Sequence, residues 1–552
     1  MFDISYLKNK NEKLFENLEN LSKFTKLQNY IPIYSRFFNL NNTNYNNINL
    51  NNFYKINKLI EKKTENKYEC EVIKNEKKIK KDTFIKFSPL LDPIKYMIGK
   101  YKNTEKELIL PLLNNKNIHK KILDKNNSAY IDGFFSYLSS QLLHTHNFYH
   151  GIDFFGSFIG IKKKFQYDIT DDIDYLLESK NFFKYKDKKF NLEYSSENFN
   201  FGSRNNKEKI SVGNNCELFV EKLDNTLFEG IFNDEKDISN NIVFNLNNNT
   251  QKTSKSESTC SSRSSNTSCS SIETTNDDEN NMSDSDDESD TNSSLSSGEN
   301  IYSYLFDFPV QIICLESLTN TLDSLIAKED NFDLDEWKSC LIQIIMTLIV
   351  YQKTFNMTHN DLHTNNIMYV ETDKEYLYYC YNKTYYKVPT FGRIYKIIDF
   401  GRAIYWYKGE LICSDSYHHK GDAATQYNFG PYFIEGKKLI EPNKSFDLCR
   451  LACSLYDLFL DDETDEIDQT DPIAVLISKW CTDDKNKNIL YKKNGDERYP
   501  DFKLYKMIAR TVHNHTPEQQ LEDTFFNKFT TKRKKISKKI KILNIDNLPD
   551  YT

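Results

Sequence analysis

Between residues 51 and 98 apolar and polar positions alternate, in YKINKLI, YECEVI and DTFIKF. A period of two sends successive side chains to opposite faces, which predicts consecutive antiparallel strands. The pattern turns helical at SAYIDGFFSYLSSQLLHT, 128–145, and returns to a strand in FFGSFIGIKKKFQYDI. Residues 180–250 are polar and give no clear period. Residues 251–300 then form a Ser/Asp/Glu/Asn tract with almost no apolar side chains. Such a tract cannot offset its ordering entropy and is expected to be disordered. Regular patterning resumes with the strand FDFPVQIICLES and the helix DLDEWKSCLIQIIMTLIVYQKT. The apolar run CLIQIIMTLIVY, 340–351, is too short to span a bilayer and reads as a buried helix. Tyr-rich strands follow (EYLYYCYNKTYYKV, then GRIYKIIDF), and from about 445 the pattern is mainly helical.

This order predicts an α+β protein with a small β-rich lobe and a larger helical lobe. Ligands favour the cleft between such lobes. The net charge of −7 argues against a dedicated nucleic-acid binder. Eleven cysteines are scattered singly with no CxxC, as expected of free thiols in a reducing compartment. The N-terminus has no apolar signal region, and the expectation is a soluble intracellular protein.

Two short stretches carry chemistry. In HNDLHTNN, 359–366, Asp361 can orient a hydroxyl, and the amide oxygen of Asn366, five residues on, can ligate Mg²⁺ beside it. In IIDFGRA, 397–403, an apolar strand ends at Asp399, which adds a charged metal ligand. Phe400 is expected to anchor the turn in the core and Gly401 to let it turn sharply.

Together these motifs resemble the protein kinase superfamily. Residues 83–86, 359–366 and 399–401 match its phosphate-binding lysine, catalytic loop and metal-binding loop. The resemblance implies that Lys86 holds the nucleotide phosphates, Asp361 is the catalytic base, and Asn366 and Asp399 are the metal ligands. It places an adenine-contacting hinge at Leu315, Glu316 and Ser317. It makes Asp447, in SFDLCRLACSLYD, the aspartate bracing the catalytic loop, and pairs Glu435 with Arg510. TFIKFSPLLDPIKY, YLSSQLLH, KIIDFGRA and GDAATQYN are most similar to serine/threonine kinases of large nucleo-cytoplasmic DNA viruses. That implies residence in host cytoplasm or virion, with the nucleus as an alternative. The implied organisation is an Asn-rich extension (1–50), the first part of the N-terminal lobe (51–179), and an insert (180–300). The last N-lobe strand and hinge (301–318), the C-terminal lobe (319–530) and a basic tail (531–552) follow.

The chain departs from the family pattern at three places. No glycine precedes Gly99, so the glycine-rich phosphate loop is missing from KLIEKKTENKYECEVI. Lys62, Lys63 and Lys67 could substitute, or the segment is a solvated hairpin. The acid that should pair with Lys86 falls by spacing near Ser139 to Gln141, where none occurs. Asp132 is the nearest carboxylate, with a helix N-terminal charge as its plain role. His363 and Thr364 replace the usual Lys-Pro, removing a cation that neutralises the transferred phosphoryl group. His363 either donates to that group or is an inert loop residue. The Tyr-rich hairpin between Asp361 and Asp399 reads as a surface addition. KRKKISKKIK, 532–541, reads as a solvated segment, with a nuclear-import or nucleic-acid patch as the alternative.

The expected activity is Mg²⁺-assisted transfer from ATP to Ser/Thr hydroxyls of a protein substrate, with no membrane partner. A small-molecule kinase of the choline or aminoglycoside phosphotransferase type, or a pseudokinase scaffold, are the alternatives.

Overall fold

A computed structural model describes residues 2–101, 109–115, 117–193, 301–328, 332–460 and 467–552. Most of the 180–300 insert, including the tract expected to be disordered, lies outside the described residues.

The protein is mixed α+β. Its largest sheet has seven strands. They are β1 (Phe24–Gln28), β2 (Lys55–Lys62), β3 (Lys67–Lys74), β4 (Lys77–Pro89), β5 (Phe154–Asp168), β6 (Phe190–Glu193) and β7 (Tyr302–Glu316). The order is β1-β5-β7-β4-β3-β2, with β6 also on β7, and all pairings are antiparallel. The alternation behind β2–β4 is realised directly. Leu59, Tyr68, Cys70, Val72 and Ile85 face the core. On the outer face Lys78 pairs with Glu71 and Lys80 with Glu69, each at 3.1 Å. The β3–β4 turn runs through Asn75 and Glu76, both with positive φ (47° and 64°), as two-residue hairpin loops favour. Central β7 is buried almost continuously from Phe308 to Leu315, so its sequence loses alternation.

Residues 1–50 are more than an extension. Helix α1 (Glu12–Ser22) leads into β1, which forms the edge of the sheet. The first residues of the 180–300 insert are likewise ordered, as β6 extends the sheet.

Helix α2 (Ser128–His146) starts at Asn127, whose side chain accepts from Ala129 N at 3.1 Å. Helix α3 (Leu334–Phe355) holds the apolar run, buried without interruption from Ser339 to Gln352. Phe135 of α2 meets Tyr351 of α3 at a ring separation of 5.0 Å. Beyond α3 a small sheet joins β8 (Asn320–Thr321), β9 (Ile367–Glu371) and β12 (Arg393–Ile397). Between β9 and β12 stands the Tyr-rich hairpin of β10 (Tyr376–Tyr381) and β11 (Thr384–Pro389). It is not a mere surface addition. Leu377, Tyr379, Tyr386 and Val388 are buried, and residues 530–531 and 543–544 flank it as strands. Asp546 accepts from the turn N–H groups of Asn382 and Lys383 at 2.8 and 2.9 Å. The basic side chains of 532–541 are exposed, and Ile536 anchors that segment. Helices α4 (Phe446–Leu455), α5 (Pro472–Trp480) and α6 (Lys503–Thr511) complete the helical part.

The eight described cysteines are free and buried. No helix among the described residues is long and apolar enough to cross a membrane.

Candidate active site

The 359–366 loop leaves α3 and is fixed from below by α4. Asp447, fully buried, accepts from His359 N at 2.9 Å and Asn360 N at 2.8 Å, one bond to each oxygen. Asn360 adopts a left-handed φ of 65°, which Asn tolerates better than most residues. Its amide donates to the carbonyls of Thr358 and Arg402, and its oxygen accepts from Tyr427 Oη at 2.7 Å. His359 donates through Nε2 to Ile398 O at 2.9 Å, stitching this loop to the strand before Asp399.

Asn366 follows in register. Its Nδ2 donates to Asp361 O at 2.9 Å and points at His363 Nε2 at 3.0 Å, so its amide oxygen is the atom available to a cation. Pairing of Ile367 with Ile397, and of Ile398 N with Asn366 O at 3.0 Å, sets Asn366 beside the Asp399 turn. That turn differs from expectation. Its left-handed residue is Asp399 (φ 63°), and Gly401 is not among the residues with positive φ. Phe400 is fully buried, its ring 4.5 Å from Phe135 and 5.6 Å from His359.

Lys86 has an acid after all. Its Nζ stands 2.8 Å from Asp132 Oδ2 and 2.9 Å from Asp399 Oδ1. The partner is Asp132, in the second turn of α2, and not a residue near Ser139–Gln141. Ser139 binds Tyr351 Oη instead. Asp132 is also more than a helix-end charge, because its other oxygen accepts from Phe400 N at 2.9 Å. Burial pushes the Asp132 carboxyl up while the ammonium pulls it down. At Asp399, whose side chain is 44% exposed, partial loss of water opposes ionisation, but the Lys86 charge outweighs it and holds the carboxyl below its ordinary value.

Asp361 has company that the sequence did not announce. Oδ1 accepts from Tyr505 Oη at 2.8 Å, and Arg402 Nη1 lies 3.3 Å away. Arg402 is held at its other edge by Asp422 Oδ2, 3.2 Å from Nε and 2.8 Å from Nη2. Tyr505 Oη in turn accepts from Arg450 Nε at 2.9 Å. Burial would raise the Asp361 carboxyl, but Arg402, His363, Arg450 and the Tyr505 bond bring it to about 2. His363 is 3% exposed, and burial lowers its ring to about 4 against the pull of Asp361. Of Tyr505, Arg402, Asp422 and Arg450, only Arg402 had a sequence cue, its place directly after Asp-Phe-Gly.

Leu315 and Glu316 close β7, and Ser317 follows it. The N–H of Glu316 already donates to Asp153 O at 2.9 Å and that of Ser317 to Asp82 O at 3.4 Å. The Glu316 carboxylate accepts from Lys396 Nζ and, at 2.7 Å, from Asp153 N. Lys62 pairs with Glu65 within the β2–β3 hairpin and Lys63 with Asp82 of β4, which favours the solvated reading of that segment. The expected Glu435–Arg510 pair is not formed. Glu435 is exposed, and Arg510 donates to the carbonyls of Thr425 and Lys506 at 2.6 and 2.7 Å.

Among the described residues no group of three or more His, Cys, Asp or Glu side chains could hold a metal ion. One carboxylate and one amide oxygen still fit Mg²⁺, which keeps most of its shell as water and phosphate oxygens. No protein-family model matches the chain, and no curated protein matches it.

Proposed function

We propose that the chain has a bilobal protein-kinase-like fold and transfers the γ-phosphoryl group of ATP to Ser/Thr hydroxyls of a protein substrate. One observation carries this reading. Lys86, the loop bearing Asp361 and Asn366, and Asp399 come from three separate stretches of chain, yet Asp132 and the 359–366 hydrogen bonds tie them into one constellation. Structure without chemistry does not require a cation, a base and two hard oxygen ligands to converge.

In this reading Lys86 binds the nucleotide phosphates and Asp361 accepts a hydrogen bond from the acceptor hydroxyl, aiming it for in-line attack. Asn366 and Asp399 would hold Mg²⁺, which when bound neutralises phosphate charge. A second reading, a nucleotide-binding module without catalysis, is favoured by the ion pair on Asp361 and by the hairpin without glycine.

The test is a thermal melt with ATP, with and without Mg²⁺, followed by radiolabel transfer with Asp361→Asn as control. A Mg²⁺-dependent nucleotide shift with transfer lost in Asp361→Asn is expected. A shift without transfer selects the binding module. Transfer to a metabolite and to no protein selects a small-molecule kinase, and no shift overturns all three.

A further inference from the structure

The catalytic loop has no cation at the position where the resemblance leads one to look. His363 does not replace it. Its Nε2 accepts a hydrogen bond from Asn366 Nδ2, whereas an imidazolium has donors at both nitrogens and cannot accept. The nearest permanent charge beside Asp361 belongs to Arg402, which comes from the metal-loop side of the site.

We propose that Arg402 supplies the positive charge that stabilises the transferred phosphoryl group. This inference rests on the phosphotransfer reading above. In that reaction the bond from γ-phosphorus to its bridging oxygen breaks, and the electron pair leaves on ADP. The acceptor oxygen forms the new bond, and its proton passes to the Asp361 carboxylate. Negative charge is carried on the phosphoryl oxygens throughout. A hydroxyl resting on Asp361 would bring the phosphorus it attacks toward that carboxylate, and the Arg402 guanidinium already stands there, 3.3 Å from Asp361 Oδ1.

The position of Arg402 is built. Two contacts to Asp422 fix the far edge of the fork. Its backbone carbonyl accepts from Asn360 Nδ2 at 3.2 Å and from Tyr417 Oη at 2.7 Å. The Tyr505 ring lies 5.6 Å from the guanidinium carbon. The side chain is only 9% exposed. A cation fixed before the reaction needs no reorganisation as charge develops, the condition under which electrostatic stabilisation is largest. A guanidinium also stays charged at every working pH and presents a planar fork suited to phosphate oxygens.

The experiment compares wild type with Arg402→Ala, Arg402→Lys and the double variant Arg402→Ala/His363→Lys. Each is given [γ-³²P]ATP, Mg²⁺ and dephosphorylated casein, and label on casein and on the protein itself is counted. Arg402→Ala should lose on the order of 10²–10³-fold in kcat, with the KM for ATP changed little. Arg402→Lys or the double variant, each restoring a cation near Asp361, should recover at least about tenfold of that loss. Arg402→Gln replaces Arg402→Ala if the latter does not fold, as judged by its melt. Near wild-type kcat in the neutral variant overturns the assignment, and so does a loss that neither cationic variant relieves. If wild type itself transfers no label, the phosphotransfer reading falls first and this inference with it.

Discussion

Asp132 is a two-ended clamp: one carboxylate oxygen meets Lys86 Nζ at 2.8 Å, and the other accepts from Phe400 N at 2.9 Å. A single side chain from α2 thus joins a lysine of the sheet to the turn that carries Asp399.

Asp132→Asn should separate these two duties. The amide oxygen can still accept from Phe400, but the amide nitrogen turns a donor toward a donor. Lys86 then leans on Asp399 alone and competes with the cation for it. The cost should be about 1–3 kcal/mol of stability. On the phosphotransfer reading, displacing the lysine from the nucleotide should lower turnover on the order of 10²-fold. Urea unfolding and steady-state kinetics at varied Mg²⁺ check the two halves, and excess Mg²⁺ should relieve part of the kinetic defect.

Asp447→Ala should be destabilising without touching any ligand. It strands two buried backbone N–H groups, those of His359 and Asn360. Each stranded donor costs about 1–3 kcal/mol. Asp447→Asn, keeping one acceptor, should fall between wild type and Asp447→Ala in chemical denaturation.

Stability should decline in mild acid through His150. This buried ring donates to Tyr395 O and accepts from Tyr379 Oη, both at 2.7 Å, and burial, with Lys396 nearby, lowers it to about 4. A histidine depressed in the folded state is protonated first in the unfolded chain. Stability is therefore full above the ordinary value near 6.5 and is lost as pH falls toward 4. The expected loss by pH 4 is about 3 kcal/mol. Denaturation midpoints at pH 7 and 4.5 should show it, and His150→Leu should flatten this part of the slope while lowering stability at pH 7.

Tyr505→Phe should destabilise the site by about 1–2 kcal/mol, because Asp361 loses a donor and Arg450 Nε an acceptor. The phenol holds Asp361 Oδ1 where a hydroxyl acceptor would also bind. On the phosphotransfer reading its removal should therefore lower the KM for a protein acceptor, measurable at saturating ATP.

The strands and the two long helices were legible because one-sided burial writes a period into sequence, as at Leu59, Tyr68 and Cys70. The loop bearing Asp361 and Asn366 was legible because its residues lie within one short turn. Asp132 was not: spacing along α2 pointed two turns further on, to a stretch without an acid, whereas Lys86 Nζ meets Asp132 Oδ2 at 2.8 Å. Tyr505 and Arg450 gave no signal, since Tyr505 reaches Asp361, and Arg450 reaches Tyr505, only across long sequence gaps. The hairpin was misjudged for a related reason. Tyr-rich alternation does not say what pairs with the hairpin's two outer edges, and the partners are residues 530–531 and 543–544.

The position of β7 in its sheet has a consequence for biosynthesis. It lies between β5 and β4, so the sheet has no centre until Tyr302–Glu316 arrives. At usual ribosomal speeds the roughly 150 residues separating the end of β5 from the end of β7 take about 7–30 s to make. During that interval the neighbouring edges of β5 and β4 wait unpaired, the state in which nascent chains recruit chaperones or join the wrong strand.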